Sequence, residues 1–222
     1  MKTLKNISIM LCLLFPITIF AQQDSLPPNK RYPTSGMFSC GVRTTLSLFS
    51  HGKLDEIGYG GGAQMRLQLH DRINTEWYMD VLSTDIDKKA GRLDYHIGWS
   101  VFFYYIHPRG FTRPVTPFIE AGHCFDYTVI SPNGRNKESV GNFSSAVQLG
   151  TGTHFNITPK FDITVKCQYM FHLGSELHAH ALDNGELLIE KHKNAGWQGH
   201  LLLTISANYK IARLWKSKKS KK

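Results

Sequence analysis

Beyond residue 20 this 222-residue chain has no stretch of about 18 consecutive apolar residues, which excludes a multi-spanning helical membrane protein. It also lacks positive charge spread along its length. The formal net charge is +9, but Lys2, Lys5 and the five lysines in the last seven residues supply seven of those charges, and the middle is nearly neutral. A nucleic-acid-binding domain carries its excess Lys and Arg over one face of the fold, so nucleic acid is not an expected partner. Cysteine is scarce as well. Of the 4 present, Cys12 lies in the N-terminal apolar run, leaving Cys40, Cys124 and Cys167. Three is an odd number, and these three fall on non-neighbouring strands of the pattern below, so no bridge within the chain is expected.

What is present begins with an address. Residues 1–6 are short and basic, 7–20 are apolar, and Ala21 precedes the polar Gln22-Gln23-Asp24-Ser25, the order of a secretory signal peptide over 1–21. Cleavage is expected after Ala21, although Ile19 is bulky for the third position before the cut. An uncleaved anchor is the competing reading, but the run is short for a spanning helix. A lipoprotein attached through Cys12 would need a small residue where Leu11 stands. Residues 22–36 contain Pro27, Pro28 and Pro33 and read as an extended periplasmic lead-in.

From Met37 onward the dominant period is two, so successive side chains point to opposite faces of a strand. Eight segments show it: 38–50, 57–69, 73–83, 93–105, 117–129, 143–157, 161–171 and 197–211. In the fourth, Leu93, Tyr95, Ile97, Trp99, Val101, Phe103 and Tyr105 oppose Asp94, His96, Gly98 and Ser100. Alternation alone also suits a soluble sandwich, so three further features decide. The segments run to about eleven to fifteen residues, roughly twice the usual strand but suited to crossing a bilayer at a tilt. Short connections (70–72, 107–115, 158–160) alternate with longer ones (51–56, 84–92, 131–142, 173–196). One face is rich in Trp, Tyr and Phe, while the other carries charges that a soluble core would bury at high cost. The pattern predicts an all-β chain, an eight-stranded antiparallel up-and-down transmembrane β-barrel over 37–215.

The signal peptide, the even strand count, the loop asymmetry and segments such as Pro117-Phe118-Ile119-Glu120-Ala121-Gly122 together resemble the small eight-stranded outer-membrane β-barrel family of Gram-negative bacteria, of the OmpA-like and OmpX-like kind. The resemblance implies an outer-membrane location with both termini periplasmic, surrounded by outer-membrane lipid and lipopolysaccharide, with the extracellular loops as the place for a protein partner. It implies no cofactor. Family members often end on an aromatic residue closing the last strand. Here Trp215 is followed by a Lys-rich tail, 216–222, expected to be a solvated periplasmic charge run.

A barrel of eight strands is just wide enough for side chains to fill, so a polar plug rather than a pore is expected. Its charge network is expected to comprise Arg43, Arg66, Glu76, Asp80, Asp94, His96, Glu120, Asp126, Asp162 and Lys166. A turn centred near Asp71 sets Arg66 opposite Glu76, and a loop centred near Lys88 sets Asp80 opposite His96, pairing each acid with a basic partner. The longest loop holds His172, Glu176, His178, His180, Asp183, Glu190 and His192. Of these, His178 and His180 are the candidate metal ligands, though their spacing is not diagnostic. A catalytic reading comes from similarity to the lipid A deacylase barrels, whose late strand carries His-x-Ser-Asn. In His172-Leu173-Gly174-Ser175-Glu176 the Ser is displaced by one and the Asn is missing, so His172 and Ser175 would face opposite sides of a strand. A structural or interaction role through the extracellular loops is favoured over an enzyme; the alternatives are a lipid A deacylase-like hydrolase and an accessory component of a secretion or adhesion system.

Overall fold

The computed structural model describes residues 33–49, 57–86, 89–133, 138–174, 176–181, 187–192 and 199–215. The expected signal peptide, nearly all of the lead-in and the Lys-rich tail lie outside the described residues. Ten strands follow in order: β1 (Met37–Phe49), β2 (Ile57–His70), β3 (Ile73–Ile86), β4 (Ala90–Tyr104), β5 (Val115–Pro132), β6 (Val140–Thr158), β7 (Phe161–Leu173), β8 (Glu176–Ala181), β9 (Leu187–His192) and β10 (Gly199–Arg213). Eight close into a barrel in the order β1-β10-β7-β6-β5-β4-β3-β2, each antiparallel to its neighbours.

Sequence alternation sets the faces. Val42, Tyr59, Met79, Ile97, Phe143 and Leu149 project outward and are exposed, Tyr59 at 69% and Val42 at 66%. Glu76, Asp80 and His96 project inward and are 0% exposed. A soluble protein would not leave so continuous an apolar exterior in water. In lipid the same exterior is satisfied, and closure leaves no sheet edge with unpaired backbone groups.

Two expectations need correction. Strands run beyond their expected segments, β5 over Val115–Pro132 against 117–129 and β6 over Val140–Thr158 against 143–157, and the last barrel strand ends at Arg213, two residues past 211. The longest connection, expected as an irregular loop, contains the hairpin β8–β9, with Leu177 opposite Lys191 and Ala181 opposite Leu187. Asp183-Asn184-Gly185 between the two strands is a turn signal that could have revealed it. Cys40, Cys124 and Cys167 are all free thiols.

The rim of short connections is tied together. Asp71 accepts hydrogen bonds from the Thr34 and Ser35 amides at 2.9 and 3.3 Å, pinning the chain ahead of β1 to the β2–β3 turn. Burial alone would raise the Asp71 carboxyl, but those amides and nearby His107 outweigh it and hold its pKa below the ordinary value. Gly36 adopts φ +80, and a Cβ there would come within 2.1 Å of the Trp215 carbonyl oxygen, so this turn requires glycine.

Candidate functional site

The barrel interior gathers the chemistry-bearing residues, in three groups along its length. Nearest the short turns, Arg66 on β2 donates through Nη2 to both oxygens of Asp162 on β7, each at 2.8 Å. Lys210 on β10 reaches the same carboxylate at 2.7 Å, and Asn208 adds an amide donor at 3.2 Å. His154 lies 3.1 Å from Arg66 Nη1 and 3.1 Å from the Tyr104 hydroxyl. An aromatic layer covers this group. Phe102 stacks on Phe118 at 4.5 Å, and Phe118 stacks on the His154 ring at 4.6 Å.

The β4–β5 connection closes this end. Arg109, Gly110 and Phe111 all have positive φ, at 49°, 70° and 65°. A left-handed backbone is unfavourable for the two that are not glycine. What holds it is the Phe111 side chain, buried with its ring 4.6 Å from Lys210 Nζ.

In the middle group Arg43 on β1 bridges two acids of β3, with Nη1 3.2 Å from Glu76 and Nε 3.1 Å from Asp80. Lys166 joins from β7, 2.7 Å from Glu76 and 3.3 Å from Glu120. The Arg43 guanidinium sits 4.1 Å above the Tyr78 ring, whose hydroxyl donates to Gln148 at 2.6 Å. Tyr78 lies across Gly98, where an added Cβ would fall 2.5 Å from that hydroxyl. Glycine on the neighbouring strand makes room for the ring.

Toward the long loops the pairing loosens. Arg92 binds Asp94 at 2.9 Å, but Asp126 is approached by imidazoles, His96 at 3.5 Å and His172 at 3.7 Å. The rings of His172 and His200 are 4.7 Å apart. Apolar side chains also enter the lumen here. Tyr78, Leu82, Cys124, Ala146, Met170 and Leu202 form one buried cluster, and Ile86, Ala90, Ile130 and Leu177 form a second. Leu177 comes from the hairpin, so the loop contributes a side chain to the plug.

No protein-family model matches this sequence, and no curated protein sequence matches it. Solved structures do. Neisserial surface protein A aligns with a TM-score of 0.56 at 13% identity, covering 80% of this chain and 98% of that one. OprG from Pseudomonas aeruginosa aligns at 0.53 and 10% identity, over 80% and 96%. The N-terminal β-barrel domain of Pseudomonas aeruginosa OprF aligns at 0.51 and 10%, over 78% and 97%. The chain has the fold of the small eight-stranded outer-membrane barrels.

Within this outer-membrane-type barrel, Arg66 lies opposite Glu76 and Asp80 opposite His96 in the strand register. The expected ion pairs between them do not form. Arg66 reaches Asp162, Asp80 is held by Arg43, and Glu76 is shared by Arg43 and Lys166. In so narrow a barrel a long side chain reaches an acid across the lumen as easily as one beside it, and the acid with the better geometry wins. Phe102, Tyr104 and Phe118, on the lumen face by parity, are buried together near the short turns, and two further apolar clusters, not expected from the sequence, lie toward the long loops. Arg92, His154, His200 and Lys210 were missed as members of the network. Lumen-face parity was the signal for each, for Arg92 through its place two residues before Asp94.

Of the two catalytic candidates, only His172 is among the described residues. Buried His172 faces Asp126 and Ser144, and both contacts fall on Nδ1, at 3.7 and 3.5 Å, whereas a nucleophile relay uses the two different ring nitrogens. Ser175 lies outside the described residues, as do the side chains of His178 and His180. Among the described residues no group of three His, Cys, Asp or Glu side chains is arranged to hold a metal ion.

Proposed function

We propose that this protein is an integral outer-membrane barrel without an open channel, acting as a scaffold or interaction protein through its long loops. The observation that carries this reading is the inversion of polarity: an apolar exterior around a lumen where six carboxylates meet five Lys or Arg side chains, all eleven buried. Side chains also stand at both ends of the lumen, Phe111 at one and Leu177 at the other. The short turns and both ends of the barrel chain share one rim, which in outer-membrane barrels faces the periplasm. The long connections, with the β8–β9 hairpin, then face outward, where a partner would meet them.

Two measurements test location and orientation. Unboiled samples should migrate differently from boiled ones on gels and remain with carbonate-washed membranes; a soluble periplasmic product would contradict the proposal. An epitope inserted in 133–139 should be reached by antibody on intact cells, and one inserted in 158–160 only after the outer membrane is permeabilised. The reverse pattern would invert the orientation.

A further inference from the structure

The two rims differ sharply in charge. The long connections (50–56, 84–91, 131–139 and 174–198) carry seven Lys or Arg against nine Asp or Glu. The opposite rim, made of 33–36, 70–72, 105–116, 158–160 and 211–215, carries Arg72, Arg109, Arg113, Lys160 and Arg213 against Asp71 alone. That one acid is already engaged by the Thr34 and Ser35 amides.

The cations are also spaced around the circumference. Arg72 sits in the β2–β3 turn, Arg109 and Arg113 in the β4–β5 connection, Lys160 in the β6–β7 turn and Arg213 at the end of β10, so every connection at this rim and the seam bring at least one. Arg72 and Lys160 are exposed, and Arg109 is half-buried. Each lies at the border of the apolar belt. Arg72 is flanked by exposed Leu69 and Ile73, Lys160 follows exposed Ile157, Arg109 follows exposed Tyr105, and Arg213 precedes exposed Leu214 and Trp215. Aromatic and basic residues at such a border sit at the level of lipid headgroups. That height favours phospholipid over the more distant peptidoglycan.

We infer that the short-turn rim is a cationic collar that binds anionic phospholipid headgroups of the leaflet it contacts. With the orientation proposed above, on which the choice of leaflet rests, this is the periplasmic leaflet of the outer membrane. Phosphate accepts the forked donors of arginine, and the net negative charge that phosphatidylglycerol carries and zwitterionic phosphatidylcholine lacks is attracted by the ring as a whole. The interaction should weaken with ionic strength, because Arg72 and Lys160 are exposed to water and Arg109, Arg113 and Arg213 are only half-buried.

The test is native mass spectrometry of the full-length folded protein in neutral detergent, titrated with an equimolar mixture of dioleoyl phosphatidylglycerol and dioleoyl phosphatidylcholine. The wild type should retain phosphatidylglycerol several-fold over phosphatidylcholine, with the preference falling as ammonium acetate is raised. The variant Arg72→Gln/Arg109→Gln/Arg113→Gln/Lys160→Gln should lower that preference at least twofold; it leaves the lumen, the Arg213 contact to Pro33 and the five lysines of 216–222 in place. Equal retention by the wild type, or an unchanged preference in the variant, would overturn the inference. If the quadruple variant does not fold, Arg72→Gln and Lys160→Gln singly should each lower the preference, and no change in either would count against the collar. Sedimentation with purified peptidoglycan sacculi that is lost on neutralising the collar, without lipid preference, would assign the rim to peptidoglycan and also overturn it. The epitope experiment fails independently. An inverted epitope pattern with the lipid preference intact would move the collar to the other leaflet without removing it.

Discussion

The two halves of the lumen solve the same problem differently. Toward the short turns and through the middle, four cations, Arg43, Arg66, Lys166 and Lys210, meet four carboxylates, Glu76, Asp80, Glu120 and Asp162, and most pairs close to between 2.7 and 3.2 Å. Toward the long loops Arg92 pairs with Asp94, while Asp126 is approached by His96 and His172 at 3.5 and 3.7 Å, with the His200 ring 4.7 Å from that of His172. Buried apolar clusters lie beside these groups. The first half is matched charge for charge, which is what burial away from water requires. The second half relies on imidazoles at longer range and on packing that includes a residue from a loop. The half beside the short turns is therefore expected to tolerate substitution least, and the half beside the loops most.

The comparison breaks first at Asp162. Asp162→Asn leaves Arg66 and Lys210 buried without their shared carboxylate and should cost about 3 to 5 kcal/mol in urea unfolding from lipid vesicles. In a double-mutant cycle Arg66 should couple to Asp162 far more strongly than to Glu76, its neighbour in register. Strong coupling to Glu76 instead would remove the cross-lumen arrangement. In the other half, Leu202→Ala should cost about 2 to 3 kcal/mol by leaving a cavity beside Met170 and Leu82. An equal or larger loss than at Asp162 would mean that packing, rather than ion pairing, dominates the barrel.

Smaller effects sharpen the contrast. His96→Gln should cost less than about 1 kcal/mol at neutral pH, because its ring approaches Asp126 only at 3.5 Å, beyond a good hydrogen bond. A loss comparable to that of Asp162→Asn would show the two halves to be equally tight. At the rim, Asp71→Asn should cost under about 1 kcal/mol, since the carboxylate is partly solvated. Its folded pKa lies below its unfolded value, so its contribution is present above the unfolded pKa and lost as pH falls through the folded one. Acid titration of stability should therefore be slightly flatter in Asp71→Asn than in the wild type, and an identical titration would show that the contact to the lead-in contributes nothing.

The same contrast explains what could be read from the chain in advance. Alternation in segments such as 93–105 placed residues on the two faces, because a period of two leaves no choice once one face must be apolar. Turn geometry at Asp71 then set Arg66 opposite Glu76. Ion pairing was not legible, because it depends on reach across the lumen between strands far apart in sequence, such as Arg66 on β2 and Asp162 on β7. Parity placed Phe102, Tyr104 and Phe118 in the lumen, but the apolar layers nearer the long loops were missed for a related reason: Leu82 and Met170 stand where parity alone predicts polar side chains, and only the closed barrel shows them meeting Leu202. Phe111 could not have been anticipated, since its place follows from three consecutive positive φ angles in a loop that carries only one glycine.

The most direct test of the account is planar-bilayer recording from protein shown to be folded by its heat-modifiable migration. A lumen closed by buried ion pairs, with Phe111 at one end and Leu177 at the other, predicts a quiet membrane with no steady unitary conductance. Reproducible, stable conductance steps from such a sample would show a continuous water path, and the filled lumen would have to be abandoned.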